Sequence, residues 1–274
     1  MALRIGHIAY ANCVPFFHYL RQCGFNGEIR SGVPAELNAL LASGEIDLAP
    51  SSSFEYGRNA DDYLLLPGHS ISSCGPVQSV LLFSALPLEA LGTAPIDLTS
   101  ESATSVNLLK LLLAEFLRVD PRCCRPAVQP AEEIAAHGGS VLMIGDRALR
   151  TAQQLQGKTH IYDLGELWWR FTGLPFVFAL WIVRAASAAA QAPALRALQQ
   201  QLAQARQQAF ADLPRVAAQT PERQWMGEDA LVGYWRVMSY DLTPQHQEGL
   251  QLYFSLCARH SLLQKEPALR FFAG

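Results

Sequence analysis

The stretch Ile96-Asp97-Leu98-Thr99-Ser100-Glu101-Ser102-Ala103-Thr104-Ser105-Val106 sets the architecture. A short apolar strand, Ile96–Leu98, runs into a turn made of hydroxyls, and a long apolar helix follows to about Arg118. Toward the N-terminus the same pattern has already run once. Leu3–Ile8, Ile29–Val33, Ile46–Ala49, Tyr63–Leu66 and Ser79–Phe83 read as strands. Between them Pro15 opens a helix to Gly24, and Pro34–Ser43 carries Leu37, Leu40 and Leu41 at helical spacing before the stop at Gly44. Ser51 is placed to cap a short helix through Tyr56. Toward the C-terminus Val141–Ile144 ends in Gly145-Asp146-Arg147, His160–Asp163 follows, and Phe176–Val183 is the most apolar strand of all. Alternating strands and helices predict an α/β fold of mostly parallel sheets covered by helices. The restart at Ile96 predicts two lobes: residues 1–84 with 178–274, and residues 85–177. The chain is expected to cross between them near Ser79–Phe83 and Phe176–Val183, with ligand in the cleft, at the carboxyl ends of strands.

From Ala185 the chain is rich in Ala and Gln and reads as helical. Leu195, Leu198, Leu202 and Ala205 form one face of a helix entered at Pro193; the last helix, from Thr243-Pro244, aligns Leu250, Tyr253, Phe254 and Cys257. Of the 274 residues 50% are apolar and only 16% charged, which excludes a disordered chain. Lys and Arg number 21 against 24 Asp and Glu, a formal net charge of −3 with no basic run, so phosphate neutralisation along a nucleic acid is not supported. The longest apolar run, Leu174–Val183, is half the ~20 residues a membrane span needs. The N-terminus shows no basic region followed by an apolar one, so no export signal is expected. The six cysteines are scattered, form no Cys-x-x-Cys, and point to a reducing cytoplasm.

Chemistry concentrates in hydroxyls at turns: Ser51-Ser52-Ser53, Ser70-Ile-Ser-Ser-Cys-Gly75 and Thr99 to Ser105, each after a strand. At a helix start such groups, with unpaired N–H donors and the helix dipole, suit a carboxylate or phosphate; their ordinary role is N-capping. Asn12, after the first strand, offers a donor and an acceptor, or is a turn residue before Pro15. Asp146 caps a helix or faces the cleft. His7, His69, His137 and His160 lack metal-ligand spacing, and no Gly-x-Ser-x-Gly, P-loop or Gly-x-Gly-x-x-Gly is present. Cys13 and Cys74 lack an evident partner base and read as small buried residues, while Trp168 and Trp169 read as core and lobe-edge aromatics.

These motifs, in order, resemble those of the chorismate dehydratases of the futalosine route to menaquinone. The matching runs are Tyr10-Ala-Asn-Cys-Val-Pro15, Gly32-Val-Pro-Ala-Glu-Leu-Asn38, Gly44 to Tyr56, Leu66 to Val80, Leu98 to Val106, Ile144-Gly-Asp146, Tyr162-Asp-Leu-Gly-Glu166 and Thr172 to Phe178, over about two thirds of the chain. Leu is commoner in the family where Ala11 stands, while Asn12 and Pro15 are kept. The resemblance implies a two-lobed fold like that of type II periplasmic binding proteins, closing over its ligand. It also implies a dehydratase, a lyase, that turns the dicarboxylate chorismate into 3-[(1-carboxyvinyl)oxy]benzoate without metal or organic cofactor.

On that reading Asn12 and Ser79 are the catalytic candidates. Ser52, Ser72, Ser73, Gly75, Thr104, Ser105 and Asp146 are the substrate-binding ones, with Thr104 and Ser105 for one carboxylate and the Ser72–Ser79 stretch for the other. No His or Lys falls in a matched cleft motif, so the substrate's own enolpyruvyl carboxylate is favoured as proton acceptor over a protein base such as Asp146. The competing readings are a solute-binding protein for a small anion and the naphthoate-forming enzyme of the same pathway. A missing export signal argues against the first. The motif at Tyr10–Pro15, unlike the Ser-Pro type of the second, argues against that one. No nucleic-acid or membrane partner is expected, and the sequence leaves the oligomeric state open.

Overall fold

The computed structural model of the chain describes residues 2–92 and 94–273. Its elements begin with β1 (Arg4–Ile8), a 3-10 turn at Ala11–Cys13, α1 (Val14–Phe17), β2 (Glu28–Gly32), α2 (Pro34–Ser43), β3 (Leu48–Ser52), α3 (Ser53–Arg58) and β4 (Tyr63–Ser73). There follow β5 (Val80–Ser84), β6 (Ile96–Leu98), α4 (Ala103–Leu111), β7 (Cys124–Pro126), α5 (Ala131–Ala136), β8 (Ser140–Ile144), α6 (Gly145–Leu155), β9 (His160–Asp163) and α7 (Leu164–Thr172). The chain ends with β10 (Phe176–Arg184), α8 (Ala185–Ala190), α9 (Ala192–Ala211), α10 (Leu213–Gln219), α11 (Arg223–Met226), α12 (Glu228–Val237), β11 (Met238–Ser239) and α13 (Pro244–Arg259).

The chain divides into two compact units. The first runs from the N-terminus to Ser72 and adds Val177–Thr243 and the segment from Pro267; the second is Ser73–Phe176 with Pro244–Glu266. The expected boundary after residue 84 is displaced, because β5 pairs with β8 and β9 and so belongs to the second unit. The last helix changes unit too, where it was expected in the first lobe. Tyr253 on α13 meets Trp168 and Phe176 edge-on, and Gly249 lies so close to the Pro175 carbonyl that a Cβ would stand 2.1 Å from it.

Each unit is built on one sheet. The first holds six strands in the order β11-β4-β10-β3-β1-β2, the second five in the order β7-β6-β8-β5-β9. The sheets are mixed rather than mostly parallel. β1 is parallel to β2 and β3, but β10 runs against β3. β6 is parallel to β7 and β8, but β5 runs against β8 and β9. β10 and β5 are interior strands, and the apolar character of Val177–Val183 and Val80–Phe83 follows from burial on both faces. The helix expected from Pro15 to Gly24 is cut to α1. Arg21 donates to the carbonyls of Phe25 and Gly27, and Gly24 turns the chain at φ +95° toward β2. α2 ends as expected at Gly44, which is left-handed at φ +82°. α4 carries on as a wider turn over Leu112–Leu117 and stops at the left-handed Arg118, while α9 buries Leu195, Leu198, Leu202 and Ala205.

Candidate active site

In the first unit, β1 and β3 are parallel, so their carboxyl ends share one sheet edge; β10, antiparallel to β3, pairs Ala179 with Ser52 there. Asn12 sits just beyond β1 in the Ala11–Cys13 turn. The buried indole of Trp235 donates to the Ala11 carbonyl at 2.8 Å and fixes this turn. Asn12 Oδ1 is buried and has no hydrogen-bond partner. The three serines at the end of β3 have three roles. Ser52, expected in the site, is the N-cap of α3, its hydroxyl accepting the Glu55 N–H at 3.3 Å; Ser51 is not the cap. Ser53 donates to the Val177 carbonyl at 2.6 Å. The Ser51 hydroxyl is fully buried and unpartnered. Counting on from the Ile5–Leu48 pair, Ser51 is level with Ile8 on β1.

Ser72 lies elsewhere in this unit. Its hydroxyl donates to the Ser239 carbonyl at 3.1 Å and stands 2.9 Å from the Ser70 hydroxyl, so it joins β4 to β11. His7 packs on Phe17 with ring centroids 4.1 Å apart, and burial pushes its imidazole down to about 4, leaving it neutral at physiological pH.

In the second unit the carboxyl ends of β6, β8 and β9 and the start of the reversed β5 fall on one edge. This edge gathers Ser79, Asp146, the Thr99–Ser105 segment and the Asp163-Leu-Gly turn. Ser102 is the N-cap of α4, accepting the Ser105 N–H at 3.2 Å; its hydroxyl is 3.1 Å from that of Ser105. Thr104 is fully buried, and its carbonyl accepts the Tyr253 hydroxyl. Thr99 closes its own turn by accepting the Glu101 N–H. Arg147 grips Glu132 through two bonds of 2.6 and 2.7 Å and reaches Glu101 at 3.0 Å, so α6 holds the turn before α4. Asp146 stands in the first turn of α6 without being its N-cap, a position occupied by Ile144. Ser79 lies beside it, since the Gly145 N–H donates to the Ser79 carbonyl at 2.8 Å.

The turn from Ser73 to Ser79 is already occupied from within. The Ser73 hydroxyl donates to the Gly75 carbonyl at 2.8 Å, and the Val77 and Gln78 N–H groups donate to the Asp163 carboxylate. Gly75 is needed for its backbone, at φ +114°. Cys74 is exposed rather than buried and has a neighbouring imidazole, with His246 Nε2 at 3.9 Å from its sulfur. A cavity of about 570 Å³ opens beside Thr99, Glu101, Lys110 and Arg147, and none of the expected site residues lines it. Among the described residues no cluster of three or more His, Cys, Asp or Glu could hold a metal ion, and no helix is long and apolar enough to cross a membrane.

The model of the menaquinone-biosynthesis family matches residues 3–259. The chain belongs to this family. Within it, the chain is 38% identical to the chorismate dehydratase of Thermus thermophilus, over 91% of this chain and 93% of that one. In fold, this family member is similar to periplasmic binding proteins. The alkanesulfonate-binding protein SsuA of Xanthomonas axonopodis pv. citri, bound to MOPS, superimposes with a TM-score of 0.71 at 19% identity, over 98% of this chain and 96% of that one. The periplasmic aliphatic sulphonate binding protein SsuA of Escherichia coli gives 0.69 at 15%, over 100% and 94%. At those identities the likeness is one of fold.

Three residues of the menaquinone-family chain escaped the reading of its sequence. Ser51 could not be told from Ser52 and Ser53, because only the fold shows which hydroxyl is left over. Trp235 bonds to a residue 224 positions away. Asp163 did carry a local signal, an Asp with Glu166 three residues on, the spacing of a capped helix start. Nothing in that spacing points to Val77 and Gln78.

Proposed function

We propose that the protein is a chorismate dehydratase, a carbon–oxygen lyase acting in menaquinone biosynthesis. The observation that carries this reading is the 38% identity to a chorismate dehydratase along nearly the whole length of both chains. Chorismate loses its C3 hydrogen and its C4 hydroxyl; the electron pair of the C3–H bond completes the aromatic ring, and proton and hydroxyl leave as water. The reaction needs no electron acceptor. Aromatisation supplies the drive, so the protein's work is to orient the ring and stabilise charge on the departing oxygen.

The first turn of α4, with Thr104 and Ser105, takes one carboxylate, supported by its helix N-terminus and by Ser102 already filling the cap. Asn12 takes the leaving hydroxyl; its buried, unpartnered Oδ1 supports this, since an unmatched buried acceptor costs ~1–3 kcal/mol unless a ligand or water meets it. Ser51 joins Asn12 on the same ground. In the second unit Ser79 and Asp146 stand beside each other at the same sheet edge as α4, while the hydroxyls of Ser52, Ser72 and Ser73 serve the frame. The substrate's enolpyruvyl carboxylate accepts the C3 proton, a reading supported by the absence of a His or Lys from the matched cleft motifs and by the closeness of that carboxylate to C3 within the substrate. All six cysteines are free thiols, which fits a reducing compartment, and we place the reaction in the cytoplasm.

The test is to add chorismate to the pure protein and follow aromatic absorbance, with mass spectrometry for a product lighter by one water. Turnover is expected. Chorismate bound and released unchanged would make the protein an anion-binding relative instead.

A further inference from the structure

Asp163 ends β9 and caps α7, and its carboxylate accepts from four backbone N–H groups. It receives the N–H groups of Gly165 at 2.9 Å and Glu166 at 3.1 Å, the ordinary capping pair. It also receives Val77 at 3.0 and 3.1 Å and Gln78 at 2.5 Å, from a turn more than eighty residues earlier. Burial pushes the carboxyl above its ordinary range, while the four N–H donors act in the other direction and are matched only by the anion.

The turn it holds is one the chain would not keep unaided. Gly75 is at φ +114° and Gln78, a residue with a side chain, at φ +61°. The start of α7 fits closely against it: a Cβ on Gly165 would stand 2.6 Å from the Ser73 hydroxyl and 2.7 Å from the Gly75 carbonyl. The turn ends at Ser79, whose carbonyl takes the Gly145 N–H ahead of Asp146.

We infer that Asp163 is a positioning residue, a built-in anion that folds the Ser73–Ser79 turn around its own carboxylate. The N–H groups of Val77 and Gln78 therefore serve Asp163 and not a carboxylate of the substrate. Ser79 is presented from a turn fixed by α7, and its carbonyl in turn takes the Gly145 N–H that precedes Asp146 at the start of α6. The catalytic consequence rests on the proposed dehydratase reading; the anchoring does not.

The experiment uses the full chain and three variants. Asp163→Ala leaves a carboxylate-sized gap ringed by N–H donors, which formate can fill. Asp163→Asn keeps one acceptor and turns an amide N–H₂ toward donors. Gly165→Ala disturbs the same turn with the carboxylate in place. Hydrogen exchange should quicken by at least about tenfold over residues 75–79 in all three, with the sheet of the second unit still protected. Formate should restore protection in Asp163→Ala and leave Gly165→Ala unchanged. With chorismate, kcat should fall at least about tenfold in Asp163→Ala and recover in part with formate, as expected when a reacting group is misplaced. Should Asp163→Ala not fold, Asp163→Asn and Gly165→Ala carry the exchange and rate measurements. Unchanged exchange in a folded Asp163 variant, or quickened exchange with normal kcat, would overturn the inference. A wild-type protein inert toward chorismate would instead refute the proposed function, and the anchoring would be judged by exchange and formate alone.

Discussion

A buried polar atom without a partner is costly, and Asn12 Oδ1 and Ser51 Oγ are two such atoms beyond or near the ends of adjacent parallel strands. If Asn12 holds the departing hydroxyl, Asn12→Asp sets a carboxylate beside a substrate that already bears two and removes the amide donor. Turnover of chorismate should then fall at least about tenfold with melting little changed, since Asp is a fair turn residue. The serine run offers an internal control. Ser52→Ala removes the cap of α3 and should lower stability by ~0.5–2 kcal/mol with KM unchanged. Ser51→Ala should leave melting unchanged or raise it, because it deletes an unmatched hydroxyl, and should lower kcat/KM. The reverse pattern would remove Ser51 from the site. Hydroxyls at a strand end were legible in the sequence; which of three adjacent ones is left over was not, because that depends on partners contributed by β10 and α3.

Among the elements, α4 shows how a helix start divides its labour. Ser102 satisfies the Ser105 N–H, so capping is already supplied and Thr104 is not needed for it. Ser102→Ala should cost ~0.5–2 kcal/mol of stability. Thr104→Val should preserve most of the melting temperature and weaken chorismate binding by ~1.5–3 kcal/mol, the worth of a hydrogen bond to a charged group. Melting beside a binding titration checks both, and unchanged affinity in Thr104→Val would leave the carboxylate without its proposed ligand. Most strands and the longer helices were legible in the sequence, because apolar runs, Pro at helix starts and Gly44 at a helix end are local signals. The sense of β5 and β10 was not, since a fully apolar strand looks the same in either direction.

For the molecule as a whole, two histidines of the first unit make stability depend on pH. Burial pushes both His7 and His69 down to about 4. His69 is 4% exposed, with Nε2 facing the Gln199 carbonyl and Nδ1 unpartnered, so the native state holds the ring neutral. Below the ordinary histidine value the unfolded chain binds protons that the native chain refuses. Stability should therefore fall as pH drops from about 6.5 toward 4, by on the order of 3 kcal/mol for His69, and level off below. Melting of the wild type and of His69→Gln across that range checks this, and an equal slope in both would rule His69 out as a source. Asp47 acts in a lower window. Burial alone would raise its carboxyl, but the guanidinium and N–H of Arg4 and the Ser187 hydroxyl together hold it below its ordinary value. Its contribution is complete above about pH 4 and is lost as pH falls further.

The sequence by itself determined the α/β alternation, two units, the family resemblance and the turns that carry polar groups. Each is written in short-range patterns: strand-length apolar runs, helix starts and stops, and motifs in order. Only the tertiary structure decided that β5 and α13 belong to the second unit, because pairing with β8 and β9 and packing against Trp168 and Phe176 join residues far apart in the chain. It likewise decided that the hydroxyls of Ser52, Ser72 and Ser73 bond to backbone groups while Ser51 and Asn12 keep unpartnered polar atoms. A hydroxyl in a sequence has the same capacity wherever it stands. What it is free to bind depends on which donors and acceptors the fold brings within about 3 Å of it, and at Asp163 those came from both ends of the second unit's first long segment.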